Sequence, residues 1–284
     1  EKNLAKIRSF ISEKNKELCE KLCNEISLSN AELFVETVKE HRFLLVLRGE
    51  DLSGDLIDTD PQEIGVKPFD AKGLTSDADK TVEIVNDFLN KAKNVLKDEE
   101  KANMVLLRGF SKKPDWPSFP EVFGLKSCAI AAYPMYRGLA KLIGMDLLDA
   151  GDTVESEFEA LEKNWDDYDF FFLHIKKTDS YGEDGNFDSK VKEIEKVDKL
   201  LPKITDLNPD VIIVTGDHST PSYLKYHSWH PVPTIIYSKQ CRPDSVEKYG
   251  ERECIKGGLG PRFPAEDMIP LALANAKRLE KFGA

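Results

Sequence analysis

From Cys128 onward, short apolar runs alternate with stretches of helical spacing, and this alternation limits the available folds more than any other feature. The strand-like segments are Cys128 to Tyr133, Asp169 to Ile175, Val211 to Val214 and Thr234 to Tyr237. The helical ones are Met135 to Ile143, Val154 to Lys163, Asp188 to Leu201 and Ala265 to Phe282. Strands interleaved with helices imply an α/β fold, a doubly wound and mostly parallel sheet covered on both faces. In such a sheet ligands gather beyond the carboxyl ends of the strands. The chemistry-bearing residues are therefore expected there.

The segment Val211 to Pro233, VIIVTGDHSTPSYLKYHSWHPVP, fits that expectation. A β-branched run stops at Gly216 and is followed at once by Asp217 and His218, then by His227 and His230. Carboxylate plus imidazole in a strand-end loop suits a borderline divalent metal such as Mn²⁺ or Zn²⁺. A capping Asp with surface histidines is the plainer alternative. The strand DFFFLHI runs into KKTDSYGEDGNF, read as a Gly-bearing loop. Asp179 and Glu183 are four residues apart in it, so their oxygens could converge with Asp217, His218 and His227 on one or two cations. Asp184 and Asp188 read as helix caps. The Gly-rich Lys256 to Gly260 lacks phosphate-loop spacing and reads as a turn.

The amino-terminal part has a different pattern. Residues 1 to 40 carry helical periodicity, with Leu18, Leu22 and Ile26 on one stripe. Phe43 to Leu47 reads as a buried strand, the Asp- and Gly-rich segment after it as a long loop, Asp77 to about Lys97 as an amphipathic helix and Met104 to Leu107 as another strand. Both strands end in Arg-Gly, at Arg48 and Arg108. A planar guanidinium held there is a natural ligand for phosphate or carboxylate, although either arginine could simply reach solvent. The proline-rich Ser111 to Pro120 places a boundary between a smaller α/β domain, 1–115, and a larger one, 122–284.

The 284 residues carry 40 basic against 51 acidic side chains, a net charge of −11, with no Lys/Arg-rich run to follow a nucleic-acid backbone. No apolar segment approaches a membrane span, and the first residues are too polar for a signal peptide, so no nucleic-acid or membrane partner and a cytoplasmic location are expected. Five cysteines without a CxxC pair read as reduced thiols, with Cys19 and Cys23 in helix packing.

Several stretches together carry a resemblance. HRFLLVLRGEDLSGDLIDTDP, NMVLLRG, AIAAYPMYRGLAKLIGMD, FLHIKKTDSYGEDGNF, VTGDHSTPSYLKYHSWHPVP and ERECIKGGLG, in this order, resemble the archaeal-type cofactor-independent (2,3-bisphosphoglycerate-independent) phosphoglycerate mutases of the alkaline phosphatase superfamily. The resemblance spans nearly the whole chain. It implies interconversion of 3-phosphoglycerate and 2-phosphoglycerate through a phosphoserine, with two divalent ions: Mn²⁺ first, with Zn²⁺, Co²⁺ or Mg²⁺ as alternatives. Asp217 and His218 match the pair on the metal beside the serine, and Asp179 and His227 match ligands of the other. Arg48, Arg108 and, from YPMYRG, Arg137 are the candidate clamp on the small phosphorylated substrate.

Two departures stand out. The family's nucleophilic serine and an early metal-binding aspartate belong to an amino-terminal segment ahead of these residues, so residues 1–284 alone are expected to lack mutase turnover. Glu183 stands where the family has histidine, which shifts preference toward harder cations. These departures leave open a metal-dependent phosphohydrolase or other phosphotransferase, or a non-catalytic relative that binds metal or a phospho-metabolite.

Overall fold

Leu18 and Leu22 fall on one face of a long amino-terminal helix, Ile26 follows directly after its last residue, and all three are buried. The computed structural model describes residues 2–38, 41–63 and 65–279, with side chains from Ile11 onward. It divides into two compact units, residues up to Asp115 and residues from Trp116.

The first unit opens with α1 (Lys2–Glu25), followed by the antiparallel pair β1 (Glu32–Thr37) and β2 (Phe43–Arg48), in which Phe34 faces Val46. Two residues each of β3 (Leu56–Ile57) and β4 (Lys72–Gly73) make a second pair, and α2 (Asp79–Val95) follows. Val85, Phe88 and Ala92 are wholly buried on α2, packed in one cluster with Leu18, Leu22 and Val35. Apolar residues three and four apart on each helix make the facing stripes.

Three expectations fail in this unit. Residues 32–37 form a strand, not a continuation of the first helix, because Leu33 and Val35 turn inward at period two. The Phe43 to Leu47 run is not buried on both faces: Leu44 is 53% and Val46 38% exposed, since β2 has one partner strand and one covered face. Met104 to Leu107 is not a strand. Among the described residues its main chain hydrogen-bonds to Thr59, whose amide donates to Leu107 O (2.9 Å) while its hydroxyl accepts from Leu107 N (2.9 Å). A hydroxyl thus replaces the next rung of a ladder.

In the second unit α3 (Phe119–Phe123) starts with a capping box between Ser118 and Glu121. Then come β5 (Ser127–Ala131), α4 (Pro134–Leu142), β6 (Asp146–Leu148), α5 (Val154–Lys163), β7 (Phe170–His174), α6 (Lys177–Glu183) and α7 (Phe187–Thr205). The chain continues through β8 (Val211–Val214), β9 (Ile235–Ser238), α8 (Glu251–Cys254) and α9 (Met268–Asn275). Strands β6, β5 and β7 form a parallel sheet in that order, with Ala131 beside His174, so two strands end level with each other. Every residue of β5 is buried, as a central parallel strand requires.

The parallel expectation stops at β8, which pairs with β9 antiparallel. No helix separates these two strands, and a parallel return needs a crossover of a dozen or so residues that is usually helical. The last helix is shorter than its periodicity suggests, a single 3₁₀ turn (Ala265–Asp267) followed by α9, and Phe282 lies outside the described residues. Among the described residues no helix is long and apolar enough to cross a membrane.

Candidate metal centre

The segment after β7 is helical, not the loop expected. As α6 it places Asp179 and Glu183 at i and i+4, on one face. Gly182 is what lets this helix lie against the segment after β8: a Cβ there would stand 2.3 Å from Thr220 O. From the other side, β8 ends and Asp217 and His218 follow within four residues. His227 comes back in the loop closed by Ser228 N donating to Ser219 O (2.9 Å).

These elements bring five side chains together. His227 Nε2 lies 3.5 Å from Asp179 Oδ1 and 3.4 Å from Glu183 Oε1. His218 Nε2 lies 3.5 Å from Asp217 Oδ2, and its Nδ1 lies 3.8 Å from Asp179 Oδ1. Asp179, His218 and His227 each offer a ligand atom within 4.8 Å of the others.

The hydrogen bonds select a tautomer. Thr220 has one hydroxyl proton and donates it to Asp179 Oδ1 (2.5 Å). Its oxygen, 3.0 Å from His218 Nδ1, must then accept, which puts the ring proton on Nδ1 and leaves Nε2 with a free lone pair. An imidazole whose other nitrogen is tied down is the usual form of a metal ligand.

Asp179 and Asp217 are held ionised. Burial would raise the Asp179 carboxyl, but hydrogen bonds from Lys176 and Thr220, with the Lys176 charge, outweigh it and keep the group below its ordinary range. For Asp217 burial again pushes up, and the Tyr136 hydroxyl and His218 pull the carboxyl down. The Lys176 ammonium on Asp179 supplies positive charge to the cluster.

Other candidates fall elsewhere. His230 accepts or donates at Ser228 Oγ (2.9 Å) and stacks on Trp229. Asp184 stands at the C-terminal end of α6 and Asp188 inside the first turn of α7, whose N-cap is Asn186, so neither aspartate caps the helix that follows. Arg137 reaches two strand-end carbonyls, Ala131 O (3.4 Å) and Leu148 O (3.2 Å), so its guanidinium ties β5 to β6. Arg48 and Arg108 belong to the first unit: Arg48 pairs with Glu32 (3.3 Å), and Arg108 lies 3.9 Å from Asp58 and 3.8 Å from Asp60. Both arginine side chains are more than half exposed, which leaves their heads open to solvent anions.

Four further residues stand at the cluster. Lys176 and Thr220 grip Asp179, Tyr136 donates to Asp217, and His174 stacks on Tyr136 with ring centroids 3.6 Å apart. Tyr136 and Asp217 are 81 residues apart, beyond any local periodicity. His174 could have been marked as the polar end of an otherwise apolar strand.

Comparison with known proteins shows the family. The model of the metalloenzyme superfamily matches residues 27–269. A Thermosipho africanus protein called "Probable 2,3-bisphosphoglycerate-independent phosphoglycerate mutase" is 57% identical over 87% of this chain and 61% of its own length. A Thermotoga maritima protein of the same description is 50% identical over 99% of this chain and 67% of its own. The chain thus spans about two thirds or less of these relatives. The solved cofactor-independent phosphoglycerate mutase of Thermoplasma acidophilum superposes with a TM-score of 0.70 at 26% identity, over 93% of this chain and 70% of that one. With the matched superfamily covering both the strand-end carboxylates and the imidazoles, the chain belongs to the metalloenzyme superfamily and, within it, to the 2,3-bisphosphoglycerate-independent phosphoglycerate mutase family.

Proposed function

We propose that this chain supplies the metal-holding part of an enzyme that interconverts 3-phosphoglycerate and 2-phosphoglycerate. The observation that carries the reading is the convergence of Asp179, Glu183 and His227 with Asp217 and His218 at two strand ends. Membership of the metalloenzyme superfamily implies divalent ions. The donor set fits them: two imidazoles and three carboxylates suit a borderline to hard cation, for which Mn²⁺ is the best match. Asp217 with His218 would hold one ion, and Asp179 with Glu183 and His227 the other. When bound, such ions neutralise phosphoryl charge and polarise the oxygen that attacks.

The chain's own groups account for the rest. Thr220 fixes the His218 tautomer, and Lys176 supplies positive charge beside Asp179. Residues 122–284 act as the metal-binding domain and residues 1–115 as part of the substrate-side domain. There Arg48 and Arg108 clamp the phosphoglycerate so that it turns without leaving. The serine that carries the phosphoryl group is not assigned within these residues: Ser219, next to His218, gives its hydroxyl to His230 O (3.1 Å). The balance of charge and the absence of a spanning helix among the described residues fit action in the cytoplasm.

The test is a coupled assay of 2-phosphoglycerate formation, with Mn²⁺ and with chelator, on residues 1–284 and on a polypeptide of the relatives' full length. Metal-dependent turnover by the longer chain and none by the shorter is expected. A longer chain that binds Mn²⁺ without turnover would overturn the mutase reading.

A further inference from the structure

The Asp217 carboxylate has its two oxygens engaged by different elements. Oδ1 accepts from the His218 amide (3.0 Å), a bond within its own loop. Oδ2 accepts from the Tyr136 hydroxyl, which arrives from α4. Carboxylate torsions are soft, so the loop bond alone leaves Oδ2 free to swing. The tyrosine is the contact that sets its direction.

Tyr136 is itself fixed from several sides. Its ring lies on the His174 imidazole, with planes inclined by 25°. The turn that carries it, Ala131 to Arg137, is held by Arg137 across the ends of β5 and β6. Pro134 opens α4 with a preset φ. His174 sits at the end of β7, and its Nδ1 is buried without a hydrogen-bond partner among the described residues.

We infer that Tyr136 is a positioning residue for the cation next to Asp217: stacked on His174, its hydroxyl directs Asp217 Oδ2 toward the same space as His218 Nε2. The inference rests on the proposed metal centre and goes beyond it, because it assigns a role to two aromatic rings outside the ligand set. Groups that orient a ligand in this way typically contribute a factor of about 10–100 in metal affinity.

The experiment is calorimetric titration of Mn²⁺ into the full chain, its Tyr136→Phe variant, Asp217→Asn and the double variant, with electron paramagnetic resonance of the bound ion. Tyr136→Phe keeps the ring and its stack and removes only the hydroxyl. It is expected to bind the ion beside Asp217 about 10–100-fold more weakly, with an altered Mn²⁺ line shape and an unchanged melting curve in chelator. On the Asp217→Asn background the same change should matter by less than about twofold, since the route through Asp217 is already cut. His174→Ala, which removes the stack and leaves the hydroxyl, should reproduce a smaller part of the loss. Wild-type affinity and line shape in Tyr136→Phe would overturn the positioning role while leaving the metal centre in place. An equal loss on both backgrounds would overturn the route through Asp217. A parent chain that binds no Mn²⁺ would overturn the metal centre and this inference with it.

Discussion

The α2 side of the first unit and the strand-end cluster of the second are built on opposite rules. Around α2 the side chains are apolar and wholly buried, as Phe88, Val85 and Ala92 show. Around Asp179 they are ionised or polar, partly open to solvent, and each is restrained by a neighbour: Lys176, Thr220, Tyr136. Apolar burial stabilises through area and tolerates no void, whereas a polar cluster keeps donor atoms converging on one place and contributes little to stability. The molecule thus separates what holds it together from what it is suited to bind.

The largest test of that division is Phe88→Ala. With no exposed ring surface to begin with, the substitution should cost about 3–5 kcal/mol in denaturant melts and leave Mn²⁺ affinity of the folded protein unchanged. A parallel fall in affinity would show that the two regions are not independent.

Glu157 lies between the two categories, a carboxyl only 3% exposed. Burial drives its pKa up to about 7; the Ala132 amide opposes that, Glu193 adds to it, and Lys177 and Lys196 oppose it. The folded chain holds this proton more tightly than the unfolded chain. The group's contribution is therefore full below its ordinary value near 4.5 and is lost as the pH rises through about 7. Glu157→Gln keeps an oxygen for the Ala132 amide and cannot ionise. Its stability relative to the parent should rise by roughly 2–3 kcal/mol between acid and pH 8, and a flat difference would remove the argument.

Gly182→Ala probes the cluster by shape alone. A methyl group 2.3 Å from Thr220 O has to push α6 away, at about 1–3 kcal/mol, and should weaken Mn²⁺ binding although no donor is altered. The smallest effect on stability belongs to Asp179→Asn, within about 1 kcal/mol, because a functional carboxylate is not optimised for the fold. Its loss of Mn²⁺ affinity, by calorimetry, should exceed that of every core variant. Unchanged affinity would remove Asp179 from the ligand set.

Elements whose signal is local are legible in the residues themselves. The α2 stripe, the β8 run that stops at Gly216, and Asp217 with His218 directly after it need only periodicity and turn chemistry. Where a residue's state depends on a distant partner, local pattern misleads. KTDSYGE resembles a loop because of its glycine, yet it is helical, and that same glycine is what Thr220 O requires. Residues 32–37 follow a helix and share its apparent periodicity, but pairing with β2 draws them into a strand.

By itself the sequence determined the order of most strands and helices, the donor types available and their places near the ends of strands. It did so because apolar spacing and chain breaks act over a few residues. Only the tertiary structure decided that β8 returns antiparallel, that Arg137 reaches the carbonyls at the ends of two strands, and that Tyr136 meets Asp217. Those outcomes depend on distances between residues far apart in the chain. Packing and unpaired hydrogen-bonding groups set such distances, and no local pattern encodes them.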